Sequence, residues 1–226
     1  MLVKTRGIVL GSIKYKETSI IVNIYTEVLG TKSYIVNGVR DKKGRIAFFQ
    51  PLTMLDMVVY DNMSKGLNRI SEYTIYRPYR SATFEPRKIS VLLFLSELFI
   101  KTLKEEHPDD ELFSFIIKRL TLFDEIDEEY EDFHLIFLLE YATYLGIRPS
   151  SAEDIAKDFG RSLDKDVEQT LNILLMHEGE TTVSFSLKIN ATLRRKILEV
   201  LIDYYQIHFP SMGRIQSLAI LRDVFS

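Results

Sequence analysis

From Asn37 to Arg45 the chain reads Asn-Gly-Val-Arg-Asp-Lys-Lys-Gly-Arg, so Arg40, Lys42, Lys43 and Arg45 crowd four cations into one short segment. Guanidinium and ammonium groups at that density neutralise phosphates and release their condensed counterions. Lys14, Lys16 and Lys32 come earlier, and Tyr15, Tyr25, Tyr34, Phe48 and Phe49 are interleaved among the cations. Aromatic faces stack on any base, so cations together with rings suit a single-stranded nucleic acid. The competing reading makes the charges a solvated loop and the rings core. Phe48 and Phe49 are expected in the core; the cluster from Arg40 to Arg45 is expected to bind.

Little in the residues supports covalent or metal chemistry. Cysteine is absent, which excludes disulfides, thiolate zinc sites, iron–sulfur clusters and cysteine nucleophiles. No P-loop, Gly-x-Gly-x-x-Gly, Gly-x-Ser-x-Gly or His-Glu-x-x-His occurs, so no spacing places a phosphate cradle, a nucleophile or a metal. His134, His177 and His208 lie in or beside apolar runs and His107 precedes a proline, where packing is the default role. The acidic run from Asp124 to Asp132 lacks the glycine and carboxylate spacing of a calcium loop and reads as a solvated loop. The expectation is a binding protein, with no catalytic residue, cofactor or metal.

The elements that must position the cations have β character. Val3 to Tyr15, Thr18 to Thr26 and Lys32 to Asn37 are rich in Val, Ile, Thr and Tyr, and the third leads directly into the basic segment. In Ile20-Ile-Val-Asn-Ile-Tyr25, period-2 alternation puts Ile20, Val22 and Ile24 on one face. Leu52 to Tyr60 and Leu67 to about Tyr79 complete five strands, a number that suits a small closed barrel.

From Glu85 the period becomes helical. Pro86 opens a helix with Ile89, Leu92, Leu93 and Leu103 on one face, and a second helix runs from Glu111 to Phe123. Phe133 to Leu145 is apolar around most of its circumference and should be central, ending at Gly146 before Pro149. Ala152 to Phe159, about Asp164 to Met176, a helix capped by Asn190 and a last one over Ile215 to Val224 follow, with a briefly extended stretch at Thr181 to Leu187. The reading is α+β: a barrel domain over residues 1–80 and a helical domain over 81–226.

Charge divides the same way. Met1 to Arg80 holds 13 Lys plus Arg against 6 Asp plus Glu, a net of +7; the total of −3 leaves −10 for the remainder. A basic domain beside an acidic one suggests that the first meets a polyanion. Met1-Leu-Val-Lys-Thr-Arg6 reads as the start of a strand and not as a leader, and Ile89 to Ile100 is too short to span a bilayer. A reducing cytoplasm is the expected compartment.

Thr5-x-Gly-Ile-Val-Leu10, Tyr15-x-Glu17, Tyr25-Thr-Glu-x-x-Gly30, Gly38-Val-Arg40 and Gln50-Pro-Leu52 together resemble the amino-terminal signature of the bacterial RecO recombination mediators. Tyr144-Leu-Gly-Ile-Arg-Pro149 resembles the segment before that family's cysteine-rich insert, and Tyr204 to Phe225 resembles its closing helices. The resemblance implies an oligonucleotide-binding (OB) barrel followed by a helical domain in a non-enzymatic, nucleoid-associated repair protein. It further implies binding and annealing of single-stranded DNA, contact with double-stranded DNA, and, with RecR and sometimes RecF, loading of RecA onto DNA coated by single-strand-binding protein. Arg40 matches the family's basic position after Gly38. Asp41 departs from it, and the zinc-binding cysteines of many members are missing after Pro149.

Two readings follow. In the first, Arg40, Lys42, Lys43 and Arg45 grip a single strand, Lys14, Lys16 and Lys32 track its backbone, and Tyr15 or Tyr34 stacks on its bases. In the alternative, the helical domain is an adaptor that captures the acidic, apolar-ended tail of single-strand-binding protein in a pocket rimmed by cations such as Lys118, Arg119, Arg194 and Arg195, and DNA contact is minor.

Overall fold

The computed structural model of the chain describes residues 1–39, 44–61, 66–103, 107–176 and 189–225. Five strands come first: β1 (Leu2–Tyr15), β2 (Ser19–Thr26), β3 (Gly30–Val36), β4 (Met54–Tyr60) and β5 (Asn68–Arg77), with a 3₁₀ turn at Arg45–Phe49 between β3 and β4. They close a barrel in the order β1-β2-β3-β5-β4, antiparallel except where β3 meets β5. This is the expected OB-type barrel.

Alternation explains its interior. Ile20, Val22 and Ile24 are at most 1% exposed and join Val9, Tyr34, Leu55, Met57 and Val59 in one cluster, sealed by Val39 and Phe49. Each buried aliphatic or aromatic side chain there is worth about 1.5–3 kcal/mol of transfer free energy. Gly7 of β1 faces two members of this cluster at close range: a Cβ would sit 2.6 Å from Ile24 Cγ2 and 2.9 Å from Met57 Sδ. The glycine of the Thr5-x-Gly motif is therefore a packing requirement.

Seven helices follow among the described residues: α1 (Pro86–Thr102), α2 (Asp110–Glu125), α3 (Phe133–Tyr144), α4 (Ala152–Phe159), α5 (Lys165–Met176), α6 (Ala191–His208) and α7 (Ser217–Val224). None is long and apolar enough to cross a membrane. The stretch from Thr181 to Leu187 lies outside the described residues.

Packing groups the chain into two compact units, Met1–Asp124 with Ile215–Ser217, and Glu125–Arg214 with Leu218–Ser226. Strand gives way to helix near residue 80, yet α1 and nearly all of α2 belong with the barrel. Ser96 of α1 hydrogen-bonds the Leu10 carbonyl, Tyr25 Oη donates to the Asp109 carbonyl at 3.2 Å, and the Phe113 ring of α2 lies 5.7 Å from that of Tyr25. The buried face of α1 is broader than the expected stripe: Lys88, Val91, Leu92, Leu95 and Phe99 are inside, whereas Ile89 and Leu93 are only partly covered.

In the second unit α3 is buried on nearly every side, and Tyr205 of α6 donates from Oη to the Leu138 carbonyl at 2.7 Å. Ser151 and Asp154 form a reciprocal capping box on α4, and Asn190 Oδ1 accepts the Leu193 N–H at 2.9 Å to start α6. The acidic run departs from the solvated loop expected of it. Its middle is exposed, but Asp124 and Asp132 at its two ends are each 7% exposed and bonded.

Candidate nucleic-acid interface

The β1–β2 hairpin carries three of the anticipated binding residues. Lys14 pairs with Ile20 in the ladder and Tyr15 with Ser19, so both stand where the two strands meet their turn. Lys14 and Lys16 are exposed, and Lys16 adopts φ +53°, with its Nζ 5.4 Å from the centroid of the half-buried Tyr15 ring. A cation over a ring face is a mutually favourable arrangement that leaves charge and ring side by side.

The root of this hairpin is tied to the root of the basic segment. Ser19 Oγ lies 3.0 Å from Asn37 Oδ1, and Ile20 pairs with Val36, the last residue of β3. Gly38 then takes φ +65°, a left-handed turn that suits glycine, and Val39 returns to the core at 1% exposed. The segment thus leaves the barrel beside Lys14, Tyr15 and Lys16. Arg40, Lys42 and Lys43 lie outside the described residues; Arg45, which begins the 3₁₀ turn, is exposed.

Two anticipated residues are placed differently. Lys32 pairs with Ile24, four residues before Val36 on β3, which puts it about 13 Å along the strand from the hairpin. Tyr34 is a correction. It is 0% exposed, opposite Val22 within the barrel cluster, so its ring is unavailable to a base. Alternation on β3 turns Tyr34 and Val36 to the same inner face, and burial pushes the Tyr34 phenol well above its ordinary pKa. Phe49 is core as expected and Phe48 is partly buried; both rings meet Tyr73 edge-on, at 4.9 and 5.4 Å.

The signature residues mostly hold the barrel together. Arg6 and Glu27 form a two-pronged ion pair, with Arg6 Nε 2.9 Å from Glu27 Oε2, and the Arg6 hydrogen bond holds the Glu27 carboxyl below its ordinary pKa. Thr26 Oγ1 donates to the Gly30 carbonyl at 2.8 Å and accepts the Leu29 N–H at 3.0 Å, which shapes the β2–β3 turn.

A second feature lies within the unit that begins at Glu125. A cavity of about 540 Å³ is lined by the cations Arg194, Arg195, Lys196 and Arg222, the acids Glu199 and Asp223, and the less polar Leu198, Leu221, Phe225 and His134; Lys196 is held by Asp164 at 2.6 Å. Arg194 is fixed by Asp132 at 2.6 Å and by the Ile189 carbonyl at 2.9 Å, and Arg222 by Glu199 at 3.2 Å. Burial pushes the Asp132 carboxyl up despite Arg194. Arg195 is exposed at the rim. Lys118 and Arg119, on α2, do not line this cavity, and Arg119 is buried. The parts of Arg222, Leu221 and Phe225 were missed in the sequence, because nothing local relates α7 to α6.

A closed five-stranded barrel with a cationic, ring-bearing hairpin, followed by helices, defines the class of OB-barrel proteins. Comparison with known proteins narrows it. The family model described as Recombination protein O N terminal matches residues 1–79, and the one described as Recombination protein O C terminal matches residues 84–214. The DNA repair protein RecO of Phocaeicola vulgatus is 30% identical over 243 residues, and that of Flavobacterium psychrophilum is 32% identical over 244 residues. Both alignments cover all of this chain and all of the relative. The chain belongs to the RecO family.

Proposed function

We propose that this RecO-family chain is a non-enzymatic recombination mediator that binds and anneals single-stranded DNA and helps load RecA onto DNA coated by single-strand-binding protein. A role in DNA repair and recombination follows from the family; the finer reading is supported by charge and geometry. The observation that carries it is the convergence of Lys14, Tyr15 and Lys16 with the root of the basic segment, joined through Ser19 and Asn37. In this reading Arg40, Lys42, Lys43 and Arg45 neutralise phosphates, Lys14, Lys16 and Lys32 extend the track, and Tyr15 stacks. Residues 1–80 act as the DNA-binding domain and 81–226 as the helical domain. RecR is the proposed partner, with RecF and double-stranded DNA as further ligands, in the cytoplasm at the nucleoid.

The test is fluorescence anisotropy of a labelled oligonucleotide titrated with the full chain at several salt concentrations. Binding should weaken steeply with salt. Reversing Arg40, Lys42 and Lys43 to Glu should lower affinity for every sequence and flatten the log–log salt slope by about 2, at roughly 0.7 per lost phosphate contact on a single strand. An unchanged slope in that variant would remove those three residues from the interface.

The cavity under Arg195 and Arg222 supports the adaptor reading in addition. Exposed Arg195 beside apolar Leu198, Leu221 and Phe225 complements an acidic peptide with an apolar end, the chemistry of the single-strand-binding protein tail. A labelled tail peptide should bind the full chain and lose affinity on Arg195→Glu. Failure of the wild-type chain to bind DNA at low salt, with tail binding intact, would make the adaptor role the principal one.

A further inference from the structure

The geometry points to Tyr60 as a residue on which a base of the bound single strand stacks, with Arg69 beside it holding a neighbouring phosphate. The inference rests on the DNA-binding reading above and supplies a ring in place of the buried Tyr34.

Ladder register places the pair. Tyr60, the last residue of β4, pairs with Arg69 on β5 and with Leu2 on β1. Val59, one residue earlier, pairs with Ile70 and is 0% exposed within the barrel cluster, so alternation turns Tyr60 and Arg69 to the outer face. Tyr60 is 50% exposed, far more than a packing tyrosine needs. Arg69 is exposed, and its side chain has no ion pair or hydrogen bond among the described residues. An open ring and a guanidinium uncommitted among the described residues therefore stand on adjacent strands, about 5 Å apart at the backbone.

The same row runs on from Arg69 to Ile35, Ile21 and Ile13. Ile13 is 65% exposed, and Ile21 and Ile35 are partly so. Apolar side chains on the outer face of a barrel suit the faces of bases rather than water. This track crosses one strand about every 4.8 Å and ends at the hairpin of Lys14, Tyr15 and Lys16. It has a ring and a cation at each end.

The chain contains no tryptophan, so Tyr60→Trp yields a protein with a single indole reporter. Oligo(dT) should quench its emission, and an abasic oligomer of equal length should not. In anisotropy titrations Tyr60→Ala should weaken oligo(dT) binding about five- to hundred-fold, leave abasic binding unchanged, and be rescued by Tyr60→Phe. Arg69→Ala should weaken both ligands and reduce the salt slope. Wild-type affinity for oligo(dT) in Tyr60→Ala, with Lys16→Glu and Arg45→Glu still weakened, overturns the assignment of Tyr60 and leaves the DNA-binding function standing. Equal losses on both ligands overturn stacking. No binding of either ligand by the wild-type chain at low salt overturns the DNA-binding reading itself, and this inference with it.

Discussion

Asp124 Oδ1 accepts the backbone N–H of Ser81 at 2.8 Å, so an acid at the end of α2 holds the turn at which sheet gives way to helix. The same oxygen accepts the Ala82 N–H at 2.8 Å, and Oδ2 accepts that of Arg80 at 2.7 Å. Lys88, fully buried, donates from Nζ to Ser81 Oγ at 2.6 Å. Burial pushes the Asp124 carboxyl up, but the three N–H groups and Lys88 outweigh it and hold the acid below its ordinary pKa.

Replacing Asp124 by Ala should therefore cost about 2–4 kcal/mol, since it strands the N–H groups of Arg80, Ser81 and Ala82 and removes the charge that faces Lys88. Urea unfolding measures this. Because the folded pKa lies below the ordinary 3.8, the contribution is complete above that value and is lost as pH falls through the folded one. Wild type and variant should converge in acid. With Lys88→Met added, the combined loss should fall short of the sum of the single losses; strict additivity would mean that the two groups act separately.

Glu97 serves a similar end on α1. Its carboxylate accepts the N–H groups of Gln216 and Ser217 at 2.9 and 2.8 Å and the Ser217 hydroxyl at 2.7 Å, at the start of α7. Burial raises its pKa, but these bonds and Lys101 lower it further than burial lifts it. Glu97→Ala should cost about 1–2 kcal/mol, as a lost helix cap does, and should speed amide exchange at Gln216 and Ser217. Unaltered exchange there would show that the cap contributes nothing.

His134 is fully buried, and burial, followed by the nearby Arg194 charge, lowers its pKa from 6.5 to about 3. The ring is held neutral. The unfolded chain takes up the proton first, so stability is full above pH 6.5 and declines from there toward about pH 3, by at most ~1.4 kcal/mol per pH unit. A urea-midpoint profile of the wild type should show this slope, and His134→Phe should flatten it. Parallel profiles would mean that another group titrates.

Tyr34 offers a control for the interface. Its hydroxyl is buried without a hydrogen-bond partner among the described residues. Removing it as Tyr34→Phe should leave DNA affinity unchanged and raise stability by up to about 1 kcal/mol, the cost of burying an unsatisfied group. A loss of DNA affinity would put Tyr34 back into the interface.

The barrel was legible because its signals are local. Alternation in Ile20 to Tyr25, the cap at Asn190 and the stop at Gly146 are each written within a few residues, and each is found in the structure. The +7 amino-terminal charge is likewise a property of composition alone. These features, with the signature motifs, determined the fold class and directed attention to the basic segment.

What the tertiary structure alone decided concerns partners far apart in the chain. Tyr34 and Tyr60 are equally aromatic and equally at home in strands, yet closure of the barrel sends one inward at 0% exposed and leaves the other half open. Asp124 looks like a solvent-facing acid, and nothing near Glu97 names its partners, until residues 43 and 120 positions away in the chain deliver N–H groups to them. The cavity under Arg195 and Arg222 arises only where α6 and α7 meet. A side chain's type limits what it can bond. Which groups arrive within 3 Å of it depends on how the chain closes, and that closure is set by summed apolar burial rather than by any local motif.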